Sequence, residues 1–247
     1  MNPCIDAILM QVARPQQIAA ISHYSQDASA TSITLAQAMR FKTTSGTAEE
    51  VIALNPDLVI AGAHVALPTV HALQRMGIRL VQTRVADSVQ QSRAQIMQVA
   101  EAVGAPQRGR QLIARIDAAL ARATPTNAKP ISAVIWQGEG MVPGAGTLAD
   151  ELLRRTGFRN MSRQYGLQQW DLLPLELLLA QPPQVLLTVH GTGQKTDRLL
   201  AHPVLQRLND RVTTAAFPMR LLQCAGPTII DAVARLAEVR RTFVAAQ

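Results

Sequence analysis

Aromatic side chains are scarce: Phe, Trp and Tyr together make up 3% of the 247 residues. A chain that threads nucleic acid interleaves its basic residues with rings that stack on bases. Here the net charge of +7 is carried mostly by arginines scattered from Arg14 to Arg241. Nucleic-acid binding is therefore disfavoured, and a mild attraction for anionic ligands remains. Cysteine is scarcer still. Cys4 and Cys224 stand near opposite ends of the chain without the close spacing of a zinc site, so they form one disulfide or remain two buried thiols. Long apolar runs are missing as well. No stretch reaches the roughly 18 to 20 residues of a membrane span, the most apolar ones being broken at Asn55-Pro56-Asp57 and by Pro174 and Glu176. The N-terminus lacks the basic, apolar and small-residue succession of a signal peptide, as expected of a cytoplasmic chain or of one from which a leader was removed. There is no G-x-S-x-G elbow and no recognised cysteine–histidine pattern, so hydrolase chemistry lacks its parts.

What is present is an ordinary globular composition, 48% hydrophobic and 17% charged, long enough for one large domain or two modest α/β lobes. One phrase occurs twice. The first copy runs from Glu49 through Leu54-Asn55-Pro56-Asp57 into Leu58-Val59-Ile60. The second runs from Glu176 through Gln181-Pro182-Pro183-Gln184 into Val185-Leu186-Leu187. Each goes from a glutamate through a short helix to proline and then directly into a strand. Two such units suggest two similar lobes.

Helical spacing covers residues 5–13, and a short apolar run at 18–21 reads as a strand opening into the polar loop 22–27. A helical stretch follows at 34–39. Thr47-Ala48-Glu49-Glu50 is a capping box ahead of the first repeated phrase, whose strand at 58–61 ends at Gly62-Ala63-His64. A helix at 68–76, closed by Gly77, and a strand at 78–81 complete a parallel βαβ unit. Residues 88–123 offer no strand, only two helical faces separated by Gly104-Ala105-Pro106. A second α/β region begins with a strand at 131–136 and the glycine-rich loop 137–146. It continues through a capping signal at Thr147 and a helix closed by Gly157, then the second phrase with a strand at 185–189. A last strand is expected near 212–216, and Pro227 starts a terminal amphipathic helix.

The glycine-rich segment is not a nucleotide loop. A dinucleotide fingerprint places its glycines directly between strand and helix with an acidic residue about 20 positions on, and no Gly-Lys-Ser/Thr ending is present. His23, His64 and His190 each follow an expected strand, where ligands collect in parallel α/β sheets. Trp136, Trp170 and Tyr24 sit at strand ends or in loops, where rings often wall a pocket for a large flat ligand. Glu49 and Glu176 suit the first turn of a helix by charge alone, yet their matching places in both copies suggest one acidic knob per lobe.

Residues 49–62, with Leu54-Asn55-Pro56-Asp57-Leu58-Val59-Ile60 at their centre, resemble the signature of the periplasmic substrate-binding proteins of ABC importers for vitamin B12, ferric siderophores and haem. Gly144-Ala145-Gly146-Thr147 through Gly157-Phe158-Arg159-Asn160 resembles the same family's second-lobe motif, and Cys224-Ala225-Gly226-Pro227 its C-terminal one. The resemblance implies an α/β fold of two Rossmann-like lobes joined by a long rigid helix, with the ligand cleft between them. The lobes would span 1–105 and 129–247, with 106–128 as the connecting helix and exit loop. It also implies a periplasmic location, no enzymatic activity, and capture of cobalamin, a ferric siderophore or haem for a permease dimer with its ATPase. Glu49 and Glu176 would dock on the permease. Tyr24 and Trp170 carry over as ligand contacts, while His23, His64, Trp136, His190 and Arg220 are expected there from strand-end placement. Such proteins usually begin with a leader and a first strand ahead of the position of Asn2, so either the start of this sequence is truncated or the N-terminal sheet has lost a strand. The alternative is a related two-lobed protein holding bare zinc or manganese through His23, His64 and His190.

Overall fold

The computed structural model describes residues 1–126, 129–190 and 211–247, with His190 described by its backbone alone. The chain forms two compact units, the first comprising residues 1–116 and 223–228, the second residues 117–222 and 229–247. The sequence suggests a single passage between lobes at 106–128, but the chain returns to the first unit at 223–228. A disulfide between Cys4 and Cys224 and a bond from the Gly226 N–H to Ser92 Oγ (2.9 Å) hold the returning segment there.

The first unit opens with α1 (Pro3–Val12), whose proline-started first turn is capped by Asn2 Oδ1 accepting from the Cys4 and Ile5 N–H groups. Its buried face is Ile5, Ala7, Ile8 and Val12. Strand β1 (Ile21–Ser22) starts later than the apolar run suggests. A 3-10 turn at Pro15–Gln17 holds Ile18, whose N–H bonds Pro15 O at 3.1 Å. After α2 (Leu35–Ala38), β2 (Thr43–Thr44) pairs in parallel with β1; a two-residue strand leaves no alternation to read.

The first repeated phrase becomes α3 (Ala48–Ala53) and β3 (Leu58–Gly62), followed by α4 (Leu67–Arg75) and β4 (Arg79–Thr83). Strands β3 and β4 are parallel, Leu58 opposite Arg79, so the expected βαβ unit is present around a core of Val51, Val59, Ala61 and Leu73. Among the described residues the β1–β2 and β3–β4 pairs belong to separate sheets. A cavity of about 550 Å³ is lined by Ala19 and Ala20 ahead of β1, by residues 58–60 of β3, by Leu9 of α1 and by Ala13 just after it. Met1 donates its amino group to Ile60 O at 2.6 Å.

Helices α5 (Val89–Ala102) and α6 (Pro106–Ala123) fill the strand-free span, separated by Gly104 at φ +70. The boundary between the units falls inside α6, after Ile116.

The second unit is built on a four-stranded parallel sheet in the order β10-β9-β5-β7, made of β5 (Ile131–Trp136), β7 (Phe158–Asn160), β9 (Val185–His190) and β10 (Thr213–Pro218). Every residue of β5 is buried, as a central parallel strand requires. Helices α7 (Leu148–Arg155), α8 (Met161–Gln164), α9 (Leu175–Ala180) and α10 (Thr228–Ala245) complete the unit.

The glycine-rich stretch, expected as a loop, contains β6 (Met141–Pro143), antiparallel to β8 (Trp170–Leu172). The reason for glycine there is backbone contact. A Cβ on Gly144 would lie 2.4 Å from Leu167 O, far inside van der Waals contact.

Helices α3 and α9 are both six residues long, with Glu49 and Glu176 as the second residue of each, and β3 and β9 both begin nine residues after that glutamate. The four-residue connectors differ in their turn chemistry. The first places Asn55 at φ 45, a left-handed conformation that Asn tolerates. The second uses Pro182 and Pro183, whose rings fix φ.

Candidate functional site

The residues at the carboxyl end of β1 are held from beneath. Asp6, on α1 and 1% exposed, accepts from the Ser22 N–H (2.8 Å) and from Ser25 Oγ (2.7 Å) through one carboxylate oxygen. The two serines bracket His23 and Tyr24, so the clamp faces inward and both rings stay exposed. Burial pushes the Asp6 carboxyl above its ordinary range, while the Met1 amino group and the serine bonds pull the other way.

The His23 ring lies 4.0 Å from the Tyr24 ring, tilted by 36°. Its Nδ1 stands 3.3 Å from Thr44 O. A carbonyl oxygen only accepts, so the proton is on Nδ1 and, in the neutral ring, the lone pair is on Nε2. Thr44 is itself tied down, donating its hydroxyl to Glu50 Oε2 at 2.9 Å. Glu50 departs from the expected capping box. Thr47 Oγ1 does accept from the Glu50 N–H (3.4 Å), but the Glu50 carboxylate reaches past Thr47 to the Ser45 N–H at 2.7 Å. The Ser45 N–H first, then the side chains of Ser45 and Thr44, hold the Glu50 carboxyl below its ordinary range. Neither Asp6 nor Glu50 stands out in the sequence as a support for this loop, because their partners are backbone groups and small hydroxyls with no spacing rule.

The other expected residues are dispersed. His64 is exposed in the turn immediately after β3. Trp170 opens β8 in the second unit with 43% of its surface exposed. Trp136, expected as a pocket wall, is instead a core residue with no exposed surface, packed among Val134, Val142, Met161 and Leu173; its place on the central strand β5 turns the ring inward. Arg220 pairs with Asp231 at 3.2 Å on an open surface. His190 ends β9 opposite Pro218, and its side chain lies outside the described residues. Among the described residues no group of three His, Cys, Asp or Glu side chains is arranged to hold a metal ion. Glu49 and Glu176 are both exposed. No helix among the described residues is long and apolar enough to cross a membrane.

Residues 1–209 match the family model described as periplasmic binding protein, and the chain belongs to that family, a family of binders rather than enzymes. Its fold is similar to that of the periplasmic haem-binding protein RhuT from Roseiflexus sp. RS-1 in its apo form. The TM-score is 0.77 at 23% identity, over 100% of this chain and 97% of that one. The periplasmic haem-binding protein HutB of Vibrio cholerae gives 0.78 at 18% identity over 96% of each chain. The vitamin B12-binding protein BtuF of Vibrio cholerae gives 0.67 at 18% identity, covering 96% of this chain and 93% of that one. No curated protein matches the chain.

Proposed function

We propose that this protein captures a large metal chelate, a haem, a corrinoid or a ferric siderophore, in the periplasm and delivers it to the permease of an ABC importer. The observation that carries the reading is the pair of exposed rings Tyr24 and Trp170. They keep 53% and 43% of their surface free, one on each unit, in a chain that spends very few aromatics. Large rings left open to water are suited to the flat apolar faces of a macrocycle. Family membership and the haem- and B12-binding neighbours support the same class of ligand.

Glu49 and Glu176 are the docking residues in this reading. Each is an exposed carboxylate in the first turn of a short helix, at an equal distance along the chain from its strand, and a partner carrying two equivalent cationic sites matches that duplication. Calorimetric titration with haemin, cyanocobalamin and several ferric siderophores tests the ligand class. Binding of at least one, weakened by Tyr24→Ala and by Trp170→Ala, is expected. Silence from all of them, with tight binding of free zinc or manganese, would replace this reading with a bare-metal carrier.

A further inference from the structure

Apart from the cargo, we propose that the first unit carries an open strand slot between β1 and β3 that binds an extended apolar segment of another polypeptide. The bound segment joins the β1–β2 and β3–β4 pairs into one sheet.

The slot is read from its backbone. In a strand the N–H and C=O of one residue point to one edge and those of the next residue to the other. The Ile21 N–H donates to Lys42 O, on the β2 side, at 2.9 Å, so the backbone groups of Ala20 and Ser22 face away from β2. Asp6 takes the Ser22 N–H, while Ala20 lines the cavity of about 550 Å³. Strand β3 repeats the arrangement. Ile60 O accepts from the Met1 amino group, which puts that carbonyl on the edge away from β4. Leu58, two residues back, shares this edge and lines the same cavity. Each edge is thus stoppered at its carboxyl end, one by Asp6 and the other by Met1, and the charge of the amino group acts on the Asp6 carboxyl. The two strands therefore run the same way, with open backbone groups facing each other across the gap. Among the described residues no further strand pairs with either edge.

The lining sets the chemistry of the occupant. Leu9 of α1, Val51 of α3 and Val103 just after α5 border the gap with apolar side chains. A strand covered by helices in a parallel sheet is apolar throughout, so the segment is uncharged there. A small apolar molecule would fill the volume but leave both rows of donors and acceptors unpaired. A strand pairs with both, and strand addition draws its affinity from such main-chain bonds. The lined stretches 18–20 and 56–60 suit a segment of about four residues. Ala19 is exposed and Ala20 half-buried, so the slot is reachable from solvent.

The test uses the full chain and an end-blocked peptide of alternating valine and isoleucine, about four residues long, flanked by lysines for solubility. An N-methylated copy keeps the side chains but lacks the amide donors. The plain peptide is expected to bind saturably, to raise the melting temperature and to slow amide exchange at Ala20 and Leu58 at least tenfold. The N-methylated copy should bind at least tenfold more weakly. Equal binding of the two peptides, or binding without slower exchange at those two amides, overturns the strand slot in favour of a plain apolar cavity. No binding by a monomeric chain overturns it outright. No binding by a chain that associates with itself, with both amides freed on dilution, replaces the foreign segment with a second copy. None of these results depends on whether a chelate binds, so chelate capture stands or falls separately.

Discussion

Cys4 and Cys224, separated by 220 positions, are joined in a disulfide that fastens the returning segment 223–228 to the start of α1. The bond crosses nearly the whole length of the sequence but stays within the first unit. Closing so long a loop restricts the unfolded chain, an effect typically worth about 2–4 kcal/mol. Cys4→Ser/Cys224→Ser should therefore lower the melting temperature by several degrees, and a thiol reductant should do the same to wild type but not to the double variant. An unchanged melting temperature in both would show that the Gly226–Ser92 bond and local packing suffice.

Asp6 predicts a pH dependence of known sign. Burial raises its folded-state pKa above the unfolded value, so its contribution to stability is fully present below the ordinary carboxylate range and is lost as pH rises through the folded value. Asn in its place keeps an oxygen for Ser22 and Ser25 but does not titrate. The stability of wild type relative to Asp6→Asn should decline as pH rises from about 4. Denaturant unfolding at a series of pH values reads this directly, and a rising difference would reverse the assigned cause.

At Gly144 the prediction is steric. A methyl group would meet Leu167 O at 2.4 Å and Gln168 N at 2.8 Å, both backbone atoms that cannot swing aside. Gly144→Ala should cost about 1–3 kcal/mol in equilibrium unfolding. Gly138→Ala, where a Cβ meets nothing within 4 Å, should cost far less. Equal effects would mean that the chain around 167 yields.

The docking assignment separates transport from binding. Charge reversal to Arg at both Glu49 and Glu176 should abolish uptake in a reconstituted importer while calorimetric affinity for the chelate stays within about twofold, since both side chains are exposed. Loss of affinity in the double variant would count against a docking role.

Much of the fold is legible in the sequence because its signals are local. The Thr47 and Thr147 caps and the apolar runs into β3 and β9 each act within a few residues, and each is where the sequence puts it. What escapes is set by contacts distant in sequence. Strand β2 exists because Thr43 and Thr44 lie beside Ile21 and Ser22, and the second crossing between units exists because Cys224 meets Cys4. The site divides the same way. The positions of His23 and Tyr24 after a strand are readable, but the Asp6, Thr44 and Glu50 supports are not, since they act through single hydrogen bonds from other elements. Trp136 misleads because a ring near a strand end is read as a wall, whereas the central strand it ends is covered on both faces, so a side chain on either face is core.

The equal nine-residue step from glutamate to strand has a further consequence. It makes the position of each acidic residue a property of chain length rather than of side-chain fit, so each unit carries its own ruler. Substitutions that repack the core around Val59 or Val185 leave that ruler unchanged, whereas inserting or deleting one residue at 54–57 or 181–184 resets it. The interior of either unit can thus drift to suit a different cargo without moving the handle by which a partner would grip it.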